Sequence, residues 1–104
     1  MTNDTPRHSL TGGFGRPGYT PSVPLTGDFT AAVTGFFGGV VHLERSLDNG
    51  STWSVRALDD GTPASFTSSA HVRLNEQQPG VLYRLNGLNL QGAAEYRLED
   101  HVTN

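Results

Sequence analysis

From Gly27 onward, apolar and polar residues alternate with a period of two along most of the chain. In Phe29-Thr30-Ala31-Ala32-Val33-Thr34, the side chains of Phe29, Ala31 and Val33 share one face, as a half-buried strand requires. Gly35-Phe36-Phe37-Gly38-Gly39 interrupts the pattern and predicts a turn or bulge. Val41 and Leu43 then alternate with His42 and Glu44. Trp53, Val55 and Ala57 alternate with Ser54 and Arg56, which predicts that this triplet faces the core. Asp59-Asp60-Gly61-Thr62-Pro63 is a loop, and Phe66–Ser68 and His71–Asn75 are weaker strands. Val81, Tyr83 and Leu85 share one side. After Gly92, Ala94, Tyr96 and Leu98 point inward while Glu95, Arg97 and Glu99 point outward. No segment combines a helical period with caps. Six or seven short strands at this spacing predict an all-β fold, a small antiparallel immunoglobulin-like β-sandwich over residues 26–104.

Residues 1–25 read differently. Pro6, Pro17, Pro21 and Pro24 are interspersed with Gly12, Gly13, Gly15 and Gly18, and the only aromatics are Phe14 and Tyr19. With no evident period of 2 or 3.6, the segment is expected to be an extended Gly/Pro-rich arm outside the sandwich. Such an arm would reach across neighbouring subunits, with Phe14, Arg16 and Tyr19 as its partner-binding anchors.

Between the two central strands stands Ser46-Leu47-Asp48-Asn49-Gly50-Ser51-Thr52-Trp53. Asp-Asn-Gly is strong turn chemistry, because Asp bonds the backbone two residues on and both Asn and Gly tolerate positive φ. The octet reads as a hairpin tip. Its pattern Ser-x-Asp-x-Gly-x-Thr-Trp resembles the Asp-box of sialidase propeller blades, where the residues matching Ser46, Asp48, Gly50, Thr52 and Trp53 have a structural role. A propeller needs several repeats of roughly 40–50 residues. This chain has 104 residues and one copy of the octet, so a sialidase is excluded.

Composition narrows the picture further. A 35% hydrophobic content with 13 Gly and 6 Pro fits turn-rich β structure. With no Cys, neither a disulfide framework nor a thiolate metal site is possible. The first 20 residues lack an apolar run, which predicts no signal peptide, and no stretch approaches the ~18 apolar residues of a membrane span. The formal charge of −3 argues against nucleic acid as a partner. All seven basic residues are Arg, which suits interfaces through the planar guanidinium fork as well as reflecting plain codon usage.

Candidate chemistry is sparse. His8, His42, His71 and His101 have no sequence-adjacent ligand partner, whereas a zinc site needs three or four converging ligands. Asp59 and Asp60 lack the spacing of a calcium loop. No Gly-x-Ser-x-Gly elbow or phosphate loop occurs, and Asp48 is committed to its turn. The expectation is a protein with no catalytic residues, no metal and no cofactor. The outward positions Arg56, Arg73, Arg84 and Arg97 suggest a sheet face that pairs with a partner's carboxylates.

Three blocks together carry a wider resemblance: Gly39-Val40-Val41-His42-Leu43-Glu44-Arg45 leading into the octet, Gly80-Val81-Leu82-Tyr83-Arg84-Leu85, and Tyr96-Arg97-Leu98. Over about residues 27–99 the chain is similar to small proteins encoded among the structural genes of tailed bacteriophages and prophages. It departs from them at Ala93-Ala94, where such sequences usually place Thr or Ser. The entry Pro79-Gly80-Val81-Leu82-Tyr83-Arg84 also resembles a penultimate strand of immunoglobulin-like and fibronectin-like domains. The phage resemblance implies a virion structural protein assembled in the host cytoplasm, most simply a capsid decoration protein that clamps neighbouring capsid subunits. Its partners would be the major capsid protein or other virion subunits, in many copies or as a homo-oligomer, without nucleic acid or membrane. Alternatives are a tail, neck or fibre component, or a carbohydrate-binding module presenting an exposed aromatic platform.

Overall fold

The period-two alternation is realised as nine strands among the described residues, 5–102, of the computed structural model. They are β1 (Thr5–Phe14), β2 (Val23–Pro24), β3 (Gly27–Thr34), β4 (Phe37–Ser46), β5 (Ser54–Val55), β6 (Ser65–Phe66), β7 (Ala70–Glu76), β8 (Leu82–Gly92) and β9 (Ala94–Val102). All pair antiparallel, in two sheets. The first runs β1-β9-β3-β7; the second runs β2-β8-β4-β5, with β6 also pairing β4. The architecture is a β-sandwich with more strands than the six or seven expected. The extra ones are β1 and β2, which lie in the leading segment, while β5 and β6 are two-residue remnants of strands expected to be longer.

The core lies between the sheets. Phe29, Ala31 and Val33 of β3, Leu43 of β4, Tyr83 and Leu85 of β8 and Leu98 of β9 are fully buried. The rings of Phe29 and Tyr83 meet across the layer, with centroids 4.7 Å apart. Each of the Phe, Val and Leu side chains among them stabilises the fold by about 1.5–3 kcal/mol through lost apolar surface.

The leading segment is part of this sandwich, which corrects the division into an arm over 1–25 and a domain over 26–104. Residues 1–4 of the predicted arm lie outside the described residues. From Thr5, however, β1 pairs along β9 as far as Phe14↔Ala94. Its inward positions are Leu10, Gly12 and Phe14, paired with Leu98, Tyr96 and Ala94. The alternation is real, but Gly12 leaves a blank in it. The Tyr96 hydroxyl and ring fill that blank, since a Cβ on Gly12 would stand 2.6 Å from the Tyr96 oxygen. Farther on, residues 18–20 lie along β8. Gly18 and Gly87 exchange backbone hydrogen bonds, and Thr20 Oγ1 accepts from the Leu85 amide at 2.9 Å. Val23 and Leu25 then enter the core.

The second arm of the central hairpin also departs from expectation. Only Ser54 and Val55 pair with β4, at Arg45 and Glu44. Val55 is exposed, as is Ala57, and Trp53 is only half-buried, so the predicted inward triplet does not face the core. The cause is an excursion of the chain. The Arg56 amide donates to the Leu43 carbonyl, Leu43 N–H donates to the Ala64 carbonyl, and Ala64 N–H closes the loop on the Arg56 carbonyl. Residues 57–63 therefore leave the sheet as a small hairpin. Ala64 and Phe66 fill the core positions expected of Val55 and Ala57.

Candidate functional site

The sandwich has two unlike ends. At one end, the β3–β4 turn, the β8–β9 turn, the end of β1 and the β6–β7 loop converge. They bring together Gly13, Phe14, Gly15, Thr34, Gly35, Phe36, Phe37, Gly38, Ser68 and Ser69, with Glu95 the charge among them. The other end holds the Asp48 turn and most of the buried ionic groups.

Phe36, in the predicted turn and one of the aromatics left for an exposed platform with Phe37 and Tyr19, is the main feature of this end. It is 102% exposed, while Phe37 packs against the core cluster. Phe37 opens β4 and follows its inward side, whereas Phe36 lies in the turn before the strand and stands clear of the sheets. The turn that carries it is tightly built: Gly35 and Gly39 adopt positive φ, and Ser69 Oγ both accepts from the Gly35 amide (2.8 Å) and donates to its carbonyl (3.0 Å). A Phe-Phe pair bracketed by glycines was the available signal.

At the opposite end the predicted turn residues act together. Ser46 Oγ donates to Asp48 Oδ1 and accepts from the Gly50 amide at 2.8 Å. The Asp48 carboxylate accepts the Thr52 amide at 2.8 Å and the Thr52 hydroxyl at 2.5 Å. Trp53 Nε1 donates to the Gly50 carbonyl. Asn49 at φ 61° and Gly50 at φ 93° supply the left-handed corner. The hydrogen bonds from the Thr52 hydroxyl, the Thr52 amide and Ser46 hold the Asp48 carboxyl down at about 2.

The four predicted partner-binding arginines do not share a face. Arg84, on β8, lies on the outer face of the second sheet. Its Nε donates to Glu44 Oε1 at 2.8 Å, and its guanidinium sits 3.9 Å from the Tyr19 ring centre and 4.2 Å from that of Trp53. Asn86 Nδ2 donates to the other Glu44 oxygen, which lets a carboxylate be 8% exposed within a strand. Arg56 stands at the charged end, in no strand. Its Nε donates to the Tyr83 hydroxyl, and its other nitrogens reach the Asn75 and Ala57 carbonyls. Arg73 on β7 and Arg97 on β9 project from the outer face of the first sheet, where Arg97 approaches Glu99 at 3.6 Å.

Beneath Arg56 lies a buried network. Glu76 Oε1 accepts from Arg45 at 2.6 Å and from the Tyr83 hydroxyl at 2.7 Å, and Oε2 accepts the Gln78 amide. Burial alone would raise the Glu76 carboxyl. The donors Tyr83, Gln78 N–H and Arg45 outweigh it and hold the group below the usual range. Burial and the Glu76 hydrogen bond together push the Tyr83 hydroxyl up to about 12. The network ties β4, β7 and β8 at one end of the sandwich. Removing either partner of the Arg45–Glu76 pair would leave an uncompensated buried charge.

Of the three predicted arm anchors, Phe14 is 6% exposed and belongs to the core, its ring 5.2 Å from Tyr96 and against Gly87. As a partner-binding residue it is corrected. Arg16 is exposed in the β1–β2 connection, and Tyr19 is 47% exposed beside Arg84. Among the described residues, no three His, Asp or Glu side chains converge as a metal site.

Searches against family models, curated proteins and solved structures return no match for this chain.

Proposed function

We propose that this chain is a non-enzymatic structural protein of a tailed-phage virion, most simply a capsid decoration protein that clamps neighbouring capsid subunits. The observation that carries the reading is the fully exposed Phe36 on a hydrogen-bonded turn at the charge-poor end of the sandwich. An aromatic side chain presented on a rigid element loses little entropy on binding and fills a pocket on a partner, which is how interface anchors work. The glycines and small residues around it let a partner's backbone approach closely. One such contact is weak. Repeated on every unit of a lattice, and joined to a second contact, it becomes strong by avidity. This reading moves the docking element from the leading segment to the β3–β4 turn.

The test is co-sedimentation of the purified chain with empty heads of the phage whose genome encodes it. Wild-type protein saturates the heads, and Phe36→Ser loses at least 10-fold in affinity while unfolding at an unchanged denaturant midpoint. Failure of wild-type protein to bind heads, with binding to isolated tails instead, moves it to the tail, neck or fibre.

The alternative of a carbohydrate-binding module is favoured by one observation, the half-exposed Tyr19 ring held in place by Arg84 next to Trp53. Binding on a glycan array that disappears in Tyr19→Ala, without association with heads, establishes that reading in place of the first.

A further inference from the structure

Asn-Gly occurs twice in the chain, at Asn49-Gly50 and at Asn86-Gly87. Glycine has no Cβ to hinder approach, so at such a pair the backbone nitrogen after the Asn readily attacks its side chain. The nitrogen, once deprotonated, bonds to the Asn Cγ, and the side-chain nitrogen leaves as ammonia. The product is a five-membered succinimide. Water then opens the ring at one carbonyl or the other, giving Asp or isoaspartate.

The fold treats the two pairs differently. Asn86 lies within β8 with its whole side chain engaged: Nδ2 donates to Glu44 Oε2 at 3.0 Å, and Oδ1 accepts the Leu88 amide at 3.0 Å. Gly87 is buried, and its amide donates to the Gly18 carbonyl at 2.8 Å. Asn49 instead stands exposed at the tip of the Asp48 turn, and among the described residues its side chain has no hydrogen-bond partner.

We infer that Asn49-Gly50 is a modification site, a spontaneous deamidation site that Ser46 holds shut while the turn is folded. The attacking nitrogen is tied down. The Gly50 amide donates to Ser46 Oγ at 2.8 Å, while the Ser46 hydroxyl hydrogen is committed to Asp48 Oδ1 at 2.7 Å. The hydroxyl is therefore fixed as an acceptor. It favours the protonated amide and cannot turn to stabilise a nitrogen anion. The backbone is also set against ring closure. Asn49 at φ 61° occupies the left-handed region, where ψ is about +30 to +60° and Cβ points away from the next nitrogen. Closure needs rotation about the Asn49 Cα–C bond by well over a right angle, which pulls the Gly50 amide off Ser46. The nitrogen serves the turn or the reaction, never both.

The modification is one-way. Isoaspartate adds a backbone atom between Asp48 and Thr52, the span that the Asp48 carboxylate bridges. Either product sets a second carboxylate beside Asp48. Modified Asn49 thus marks a molecule whose turn has opened, and refolding does not erase the mark. This inference is independent of the proposed virion role.

Mass spectrometry of the full chain aged at pH 8 tests it. Brief tryptic digestion at mildly acidic pH places the pairs in separate peptides, residues 46–56 and 85–97, because cleavage follows Arg45, Arg56, Arg84 and Arg97. In guanidinium chloride both peptides gain the Asn-to-Asp mass at similar rates. In the folded chain Asn49 is converted at least 10-fold more slowly than in the unfolded chain, and Asn86 more slowly still. Ser46→Ala speeds Asn49 by at least 5-fold and leaves Asn86 as in wild type, so Asn86 reports any general loss of folding. Folded wild-type protein that converts Asn49 as fast as unfolded chain overturns the inference. So does a Ser46→Ala chain in which Asn49 reacts no faster, or only in step with Asn86.

Discussion

The carboxylate of Asp100 accepts the backbone amide of His8 at 2.8 Å, across 92 positions of sequence. The same buried carboxylate takes the His8 ring nitrogen at 3.1 Å and the Thr26 amide at 3.0 Å. The β1–β9 register shifts between Pro6 and Ser9, so the His8 amide is left out of the ladder and Asp100 supplies its acceptor. One side chain thereby ties the first strand, the approach to β3 and the last strand. Burial raises the Asp100 carboxyl, but donation from Thr26 and His8 outweighs it and holds the group below its usual range. Asp100→Ala leaves two backbone donors unsatisfied around a carboxylate that is itself fully buried. It is expected to cost about 3 kcal/mol, read from the midpoint of urea unfolding at unchanged m-value.

If β1 is a core strand, removing it cannot leave a folded domain. Deletion of residues 2–24 strips Leu10, Phe14 and Val23 from the core and uncovers the edge of β9. The truncated chain is expected to show no cooperative unfolding transition by circular dichroism. A cooperative transition with native-like sheet signal would return the segment to the status of an appended arm.

This strand also marks the limit of what the sequence discloses. The Asp48 turn is legible because every partner lies within five residues of it. The inward faces of β3, β8 and β9 are legible because alternation is uninterrupted there. In β1 the blank at Gly12 is filled by Tyr96, a residue 84 positions away, and no local pattern reports that. Likewise Arg73, Arg84 and Arg97 all read as outward, and they are, but outward on two different sheets. Which sheet depends on strand order, which period alone does not encode.

Glycine positions separate turn requirements from mere composition. Gly39 has φ +77° and a Cβ there would stand 1.8 Å from the Asn89 carbonyl oxygen, which is backbone in the facing strand and cannot swing aside. Gly39→Ala is expected to destabilise by about 3 kcal/mol or more. Gly15, with open space around it and no positive φ, is expected to accept Ala within about 0.5 kcal/mol. Paired thermal melts of the two variants check the contrast.

Tyr83 offers a spectroscopic test of the buried network. The chain has three Tyr residues, and Tyr83 ionises only near pH 12 because burial and donation to Glu76 both favour its neutral form. Subtracting the tyrosinate absorbance titration of Tyr83→Phe from that of wild type isolates this group, and the difference is expected to rise near pH 12. Glu76→Gln removes one of the two causes and is expected to shift that rise downward. Tyr83→Phe itself leaves Glu76 short of a donor and is expected to cost about 1–2 kcal/mol.

The Asp48 turn sets part of the acid limit of the fold, and the sign follows from its depressed carboxyl. An Asp in the unfolded chain titrates near 3.9, whereas Asp48 in the folded chain titrates at about 2. Between those values the unfolded state binds more protons, so stability falls as pH falls through that window. Above it the contribution is complete and independent of pH. Asp100 and Glu76 are depressed as well, so acid erodes all three together. Asp48→Asn keeps the turn geometry and the acceptor for the Thr52 amide but removes the charge. It is expected to be less stable than wild type at pH 7 and to lose less stability between pH 4 and pH 2. Urea midpoints measured at both ends of that window decide it: parallel pH profiles for the two proteins would mean that the Asp48 carboxylate is not held down by its turn.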